Sequence, residues 1–188
     1  MNPIMREIPY SFDTERLTIR GPLPGDGDKV RTAVLESQAE LKPWMPWAVK
    51  VASAKDYEIR VREGQIKYLG RQDFWLLIFL RGTETLIGSS GLHSANWDVP
   101  SFEIGYWLHT QHTGQGYITE AVEGICQFAY SQLEAQRLFI RCDSENERSA
   151  AVARRCGFTF EGTHRHDSRD HLTNELASTH FFSRLAAK

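Results

Sequence analysis

A chain of 188 residues, 41% hydrophobic and 24% charged, can build one substantial globular core, and its formal net charge of -2 gives no global attraction to nucleic acid or an anionic membrane. The longest apolar run, Phe74 to Leu80, falls far short of the roughly 18 residues a membrane span needs, and "MNPIMREIPYSFDTER" has no signal-peptide apolar block. Cys126, Cys142 and Cys156 form no disulfide framework and no C-x-x-C pair, so free thiols and a cytoplasmic location are expected.

In chain order, "ERLTIRGP" predicts a first strand stopped by Pro22, and Asp26 or Asp28 can cap a helix running to about Gln38. "LKPWMPWAV" is a Pro- and Trp-rich break. Ser53 and Asp56 have capping-box spacing ahead of a helix over 56–69. "DFWLLIFLRGTETLIGSSGLHS" predicts two strands around a turn, and 101–109 a third strand of the same antiparallel run. Ile118, Val122, Ile125, Ala129 and Leu133 recur at helical spacing, predicting a helix over 118–134. "RLFIRCD" is a strand. Asn146 can cap a helix through Arg155, with Gly157 placed to end it. "FTFEGTHRH" and "LASTHFFSRL" predict the last two strands. No internal repeat or low-complexity linker divides the chain, so a single mixed α/β domain over 1–188 is expected.

The stretch Gln111 to Gly116, "QHTGQG", lies between a predicted strand and a long predicted helix. No Gly-Lys-Ser/Thr occurs, which excludes a Walker P-loop, and Thr119 stands where a Rossmann fingerprint needs its third glycine. The remaining phosphate reading is Q-x-x-G-x-G, in which backbone N–H groups at a helix N-terminus form a concave anion site. A plain strand-to-helix turn is the alternative.

The flanking residues add to this. "EIGYWLHTQHTGQGYITEAV" resembles the acetyl-CoA-binding core of the GNAT N-acetyltransferase superfamily, in particular its RimJ/RimL-like branch. "CDSENERSAAVARRCGF", "TERLTIR" and "LKPWMPW" resemble further motifs of that branch, so the resemblance extends from about Thr14 to Leu185. It implies a GNAT fold, a mostly antiparallel, splayed central sheet flanked by helices. It also implies acetyl-pantetheine in the gap between strand 101–109 and strand 137–143. Backbone groups of Trp107, Leu108 and His109 would pair with the pantetheine, and a main-chain N–H near Leu108 would hold the oxyanion. Thr113, Gly114, Gln115, Gly116, Tyr117, Ile118 and Thr119 would take the pyrophosphate.

Asn146 and Ser149 lie three apart in the first turn of the last helix. Capping alone explains Asn146, whereas the resemblance places Asn146 against coenzyme A and Ser149 beside the thioester sulfur. Many family members carry a tyrosine further along this helix as general acid, and this chain has no Tyr after Tyr130. Ser149 is therefore cast as a hydrogen-bond donor to the departing thiolate. Glu103 is a base acting through water or a residue that positions the acceptor. His93, at the end of the neighbouring strand, is the other candidate for the base, and an exposed edge histidine is the favoured reading. Trp44 and Trp47 either pack a loop onto the core or wall the acceptor pocket, and Cys142 reads as a buried inert thiol. "HRH" at 164–166 reads as a solvated strand end, and no metal site is expected.

The expected protein is an enzyme that moves an acetyl group from acetyl-CoA to a primary amine by direct attack in a ternary complex. The expected acceptor is a protein N-terminal α-amine or a small amine, with no nucleic-acid or membrane partner, in a monomer or homodimer. A non-catalytic acyl-CoA-binding sensor is the alternative.

Overall fold

The computed structural model describes residues 2–186, so Met1, Ala187 and Lys188 of the expected 1–188 domain lie outside the described residues. Eight strands form one sheet: β1 (Ser11–Asp13), β2 (Leu17–Arg20), β3 (Phe74–Leu80), β4 (Leu86–Asn96), β5 (Ser101–Leu108), β6 (Arg137–Asp143), β7 (Thr159–Arg169) and β8 (Leu176–Leu185). Their spatial order is β1-β2-β3-β4-β5-β6-β8-β7. The helices are α1 (Gly27–Glu36), α2 (Gln38–Leu41), α3 (Ala54–Leu69), α4 (Tyr117–Gln132) and α5 (Glu147–Arg155).

Strand β3 reads as unbroken hydrophobics because both its faces are covered. Phe74, Leu76 and Ile78 pack with Val122, Ile125 and Ala129 of α4. Leu77 and Phe79 pack with Val30 and Val34 of α1 and Tyr57 of α3. The layers are thus α1 and α3, the sheet, then α4 and α5. Strand β7 has no cover and lies exposed at the edge.

Every pair of neighbouring strands is antiparallel except β5 and β6, which run parallel. That pairing covers only Ser101↔Arg137, Phe102↔Leu138 and Glu103↔Phe139. Beyond it β5 stays on β4 as far as Leu108, and β6 stays on β8 as far as Asp143. The two strands therefore part after Glu103, as the resemblance implied.

Local signals placed several elements closely. Ser53 and Asp56 make the reciprocal capping box, with α3 starting two residues earlier than expected, at Ala54. Asn146 Oδ1 accepts from Ser149 N–H at 3.1 Å, and Gly157 takes a positive φ of 71° past the end of α5. Strand β1 and the single turn of α2 were not anticipated. Asp26 precedes α1 but makes no side-chain cap. Its carboxylate instead accepts two bonds from Arg20, at 2.6 and 2.8 Å, and one from Leu23 N–H at 2.8 Å.

That pair ties β2 to the start of α1, with Asp26 only 4% exposed. Removing one partner strands the other charge in a mostly buried place. Asp26→Ala should cost about 3 kcal/mol in a denaturant melt, well above the ~1 kcal/mol of an ordinary cap deletion.

Candidate active site

The fork between β5 and β6 sets the site. His109 N–H bonds Ile87 O at 2.8 Å, which fixes the alternation of the β4–β5 ladder. Backbone groups of Trp107, Gly105 and Glu103 then face β4, while those of Leu108, Tyr106 and Ile104 face the gap. Of the expected trio Trp107–His109, only Leu108 offers its main chain to the gap. The amide of Trp107 belongs to the ladder with Ser89, and the carbonyl of His109 accepts from His112 N–H at 2.9 Å. The His109 side chain is structural too: Nδ1 accepts from Gln111 N–H, so Nε2 carries the hydrogen and donates to Glu36 at 2.7 Å.

Two cavities meet at this fork. The gap itself is lined by Trp44, Glu103, Ile104, Cys142, Asn146 and Ser149, among others, and measures about 290 Å³. A larger cleft of about 610 Å³ lies between α3 and the sheet, walled by Trp47, Trp75 and Trp107. Met45, Gly105 and Tyr106 line both. The two expected pocket tryptophans are thus divided, Trp44 on the gap and Trp47 on the cleft, where its ring centroid lies 6.0 Å from that of Trp107.

At the gap, Tyr106 donates its hydroxyl hydrogen to Ser149 O at 2.9 Å, and the hydroxyls of the two residues lie 3.1 Å apart. Burial raises the Tyr106 pKa, so its phenol stays protonated. This tyrosine comes from β5, not from the last helix, and sequence reasoning missed it. Its signal was the alternation of β5, which turns even-numbered residues toward α4 and α5. Burial also raises the Cys142 thiol, which keeps it protonated.

Glu103 is held at the vertex of the fork. Arg141 Nε and one terminal guanidinium nitrogen donate to its two oxygens, each at 2.9 Å. This two-point clamp fixes the orientation of the Glu103 carboxylate at the vertex. His93 is not an exposed edge residue. It lines the cleft and is only 36% exposed at its side chain.

Gly114 and Gly116 adopt φ of 74° and 81°, values that favour glycine, and Gly116 is the residue before α4. The N–H groups of Gly114 through Thr119 have no acceptor among the described residues, and Thr113 to Gly116 are exposed. Two guanidinium groups flank them. Arg16 bonds Gln115 O at 3.0 Å and Glu120 at 2.6 Å and sits over the Tyr117 ring; Arg155 bonds the Thr119 hydroxyl at 3.3 Å. An exposed row of unpartnered amides at a helix N-terminus between two cations fits a diphosphate. Neither arginine was anticipated. Both lie far in sequence from the glycines and meet them only through the fold. Among the described residues no group of three or more His, Cys, Asp or Glu side chains could hold a metal, and no helix is long and apolar enough to cross a membrane.

Residues 16–159 match the model of the acetyltransferase (GNAT) domain. The chain belongs to the GNAT acetyltransferase family. It is an N-acetyltransferase that takes its acetyl group from acetyl-CoA. This GNAT enzyme is 30% identical over 149 residues to YdaF of Bacillus subtilis (strain 168), provisionally named a ribosomal N-acetyltransferase; the match covers 79% of this chain and 80% of that one. It is 28% identical to the ribosomal-protein-serine acetyltransferase of Escherichia coli (strain K12), over 69% of this chain and 71% of that one. Its fold matches RimL, a ribosomal L7/L12 alpha-N-protein acetyltransferase solved with coenzyme A, at a TM-score of 0.84 and 22% identity, over 95% of this chain and 97% of that chain.

Placing a Cβ at Gly116 leaves room, with Arg16 3.5 Å away, but puts an L side chain at φ 81°. That strain is about 1–2 kcal/mol; the free loop of the variant relaxes out of this conformation and must regain it on binding, so Gly116→Ala should weaken coenzyme A binding roughly tenfold by calorimetric titration.

Proposed function

We propose that this enzyme acetylates the N-terminal α-amine of a protein, by direct attack of the amine on acetyl-CoA in a ternary complex. The observation that carries this reading is the junction of the two cavities. The gap and the 610 Å³ cleft share Gly105 and Tyr106, so a thioester in one and an amine in the other meet at β5 without an enzyme-bound acyl group. The raised, protonated Cys142 thiol fits direct transfer. The names of the relatives, which specify ribosomal proteins and an alpha-N-protein substrate, favour a protein end over a lysine side chain. The acidity of the two amines agrees, because an α-amine near pKa 7.7–8.0 is partly neutral at pH 7 whereas a lysine near 10.4 is not.

The residue roles follow from the geometry. The amides from Gly114 to Thr119 hold the pyrophosphate between Arg16 and Arg155. The Leu108 N–H, facing the gap, meets the oxyanion of the tetrahedral intermediate. Asn146 uses Oδ1 as a helix cap, while its side-chain NH2 donates to nothing among the described residues and is available to the coenzyme. Tyr106 and Ser149 form a donor chain toward the sulfur: with Ser149 turned to the thiolate, the Tyr106 O–H donates to Ser149 Oγ. Glu103, fixed by Arg141, orients the amine's approach.

Free-thiol release measured with acetyl-CoA against peptides, polyamines, amino acids and aminoglycosides tests the acceptor. Turnover with peptides that is lost when their α-amine is blocked is the expected result. Turnover only with small amines overturns the reading, and coenzyme binding without any turnover favours a sensor. A hydrogen bond to a charged group is worth about 1.5–3 kcal/mol, so Ser149→Ala should lower kcat roughly 10- to 100-fold while leaving the KM for acetyl-CoA nearly unchanged. Tyr106→Phe should lower kcat in the same way but by less.

A further inference from the structure

The cleft holds a histidine–carboxylate pair that the roles above do not use. His93 Nδ1 lies 2.7 Å from Asp73 Oδ2. An ionised carboxylate only accepts, so Nδ1 carries the hydrogen and the Nε2 lone pair is left over. The register brings the two together: Phe74 pairs with Leu92, which sets Asp73, just before β3, beside His93 on β4. The ring lies across two glycines. A Cβ on Gly91 would come within 2.5 Å of ring Cε1 and Nε2, and one on Gly105 would lie 3.8 Å from Nε2. Gly105 is also where the cleft opens on the gap. Nε2 therefore lies close to Gly105, which lines both cavities.

The other charged groups around the ring are less suited to accept a proton. Glu103, directly across the ladder from His93, has both oxygens bonded to Arg141. Arg60, Glu63 and Lys67 of α3 line the cleft but are exposed.

We propose that His93, oriented by Asp73, is the general base that deprotonates the acceptor amine. This rests on the reading that the amine enters through the cleft. The ammonium R–NH3+ gives a proton to Nε2, and the Asp73 carboxylate stabilises the imidazolium. The freed nitrogen lone pair forms the N–C bond to the acetyl carbonyl carbon. The C–S bond breaks, its electron pair leaves with sulfur, and the second proton lost from the amine nitrogen as the amide forms passes to the thiolate, giving free coenzyme A. The imidazolium returns its proton to solvent.

The test compares wild type, His93→Ala and Asp73→Asn by thiol release, using whichever amine the wild type acetylates best, with thermal melts to confirm folding. At pH 6.5 kcat/KM should fall about 100-fold in His93→Ala, within the usual range for general-base catalysis. The deficit should shrink as the pH passes the pKa of the amine used, about 8 for an α-amine, where the acceptor is already neutral. Added imidazole should restore part of the rate at low pH. A deficit that is constant across pH and unmoved by imidazole, or no deficit, overturns the proposal. Nitrogen NMR of the free protein supplies a readout independent of any acceptor. The His93 ring should carry its hydrogen on Nδ1, and this preference should be lost in Asp73→Asn; a hydrogen on Nε2 overturns the base role. If wild type acetylates peptides and the variants match it, the proposal fails while the acceptor reading stands. If wild type acetylates only small amines and His93→Ala is slowed as above, the acceptor reading fails and the base remains.

Discussion

The parting of β5 from β6 is the constraint on which the rest of this site depends. Parallel strands ordinarily keep bonding along their length, yet here three residue pairs form and then each strand follows its other neighbour. The ion pair between Glu103 and Arg141 sits at that vertex, one partner on each strand. Higher in the fork, Tyr106 on β5 is tied to Ser149 in the first turn of α5. The fork is therefore pinned at its base and bridged near its top, and the main-chain groups between are left facing outward without a strand partner. A gap of this kind suits an extended, amide-bearing ligand because it presents β-edge bonding to it.

One strand serves both cavities because its two periodicities differ in direction. Even-numbered residues of β5 turn their backbone groups to the gap: Leu108 brings an amide there and Tyr106 a phenol. Odd-numbered residues turn their side chains to the cleft. Gly105 leaves its floor thin, and Trp107 walls it. Gly91 lies opposite Gly105, and together they leave the hollow in which the His93 ring rests. A Cβ at Gly91 would collide with that ring, 2.5 Å from its Cε1 and Nε2.

What could be read from the sequence was what neighbouring residues decide. Ser53 with Asp56, Asn146 with Ser149 and the glycines at 114 and 116 act over a few residues, and each does locally what its spacing predicts. Misreadings arose where a distant partner outbid the local one. Asp26 has the residue type and place of a cap, but Arg20 and Leu23 N–H hold its carboxylate. Trp107 and His109 flank the amide that faces the gap, but ladder phase and a 3-10 turn occupy their backbones. Arg16, Arg155 and Tyr106 have no local pattern that marks them, since each finds its target 36 to 104 residues away. His93 looked solvated because Asp73 reaches it only through the register of β3 on β4.

The near-neutral net charge conceals an uneven distribution of charge about β5. On one side of β5 the positive end of α4, Arg16 and Arg155 surround the unpartnered amides, an environment for an anion. On the other side Arg60, Glu63, Lys67 and Asp73 all line the cleft, so its charges are mixed. The environment suited to an anion thus lies on one side of β5 and the cleft of mixed charge on the other. Met45, Gly105 and Tyr106 line both cavities, so the fork is where these two environments adjoin.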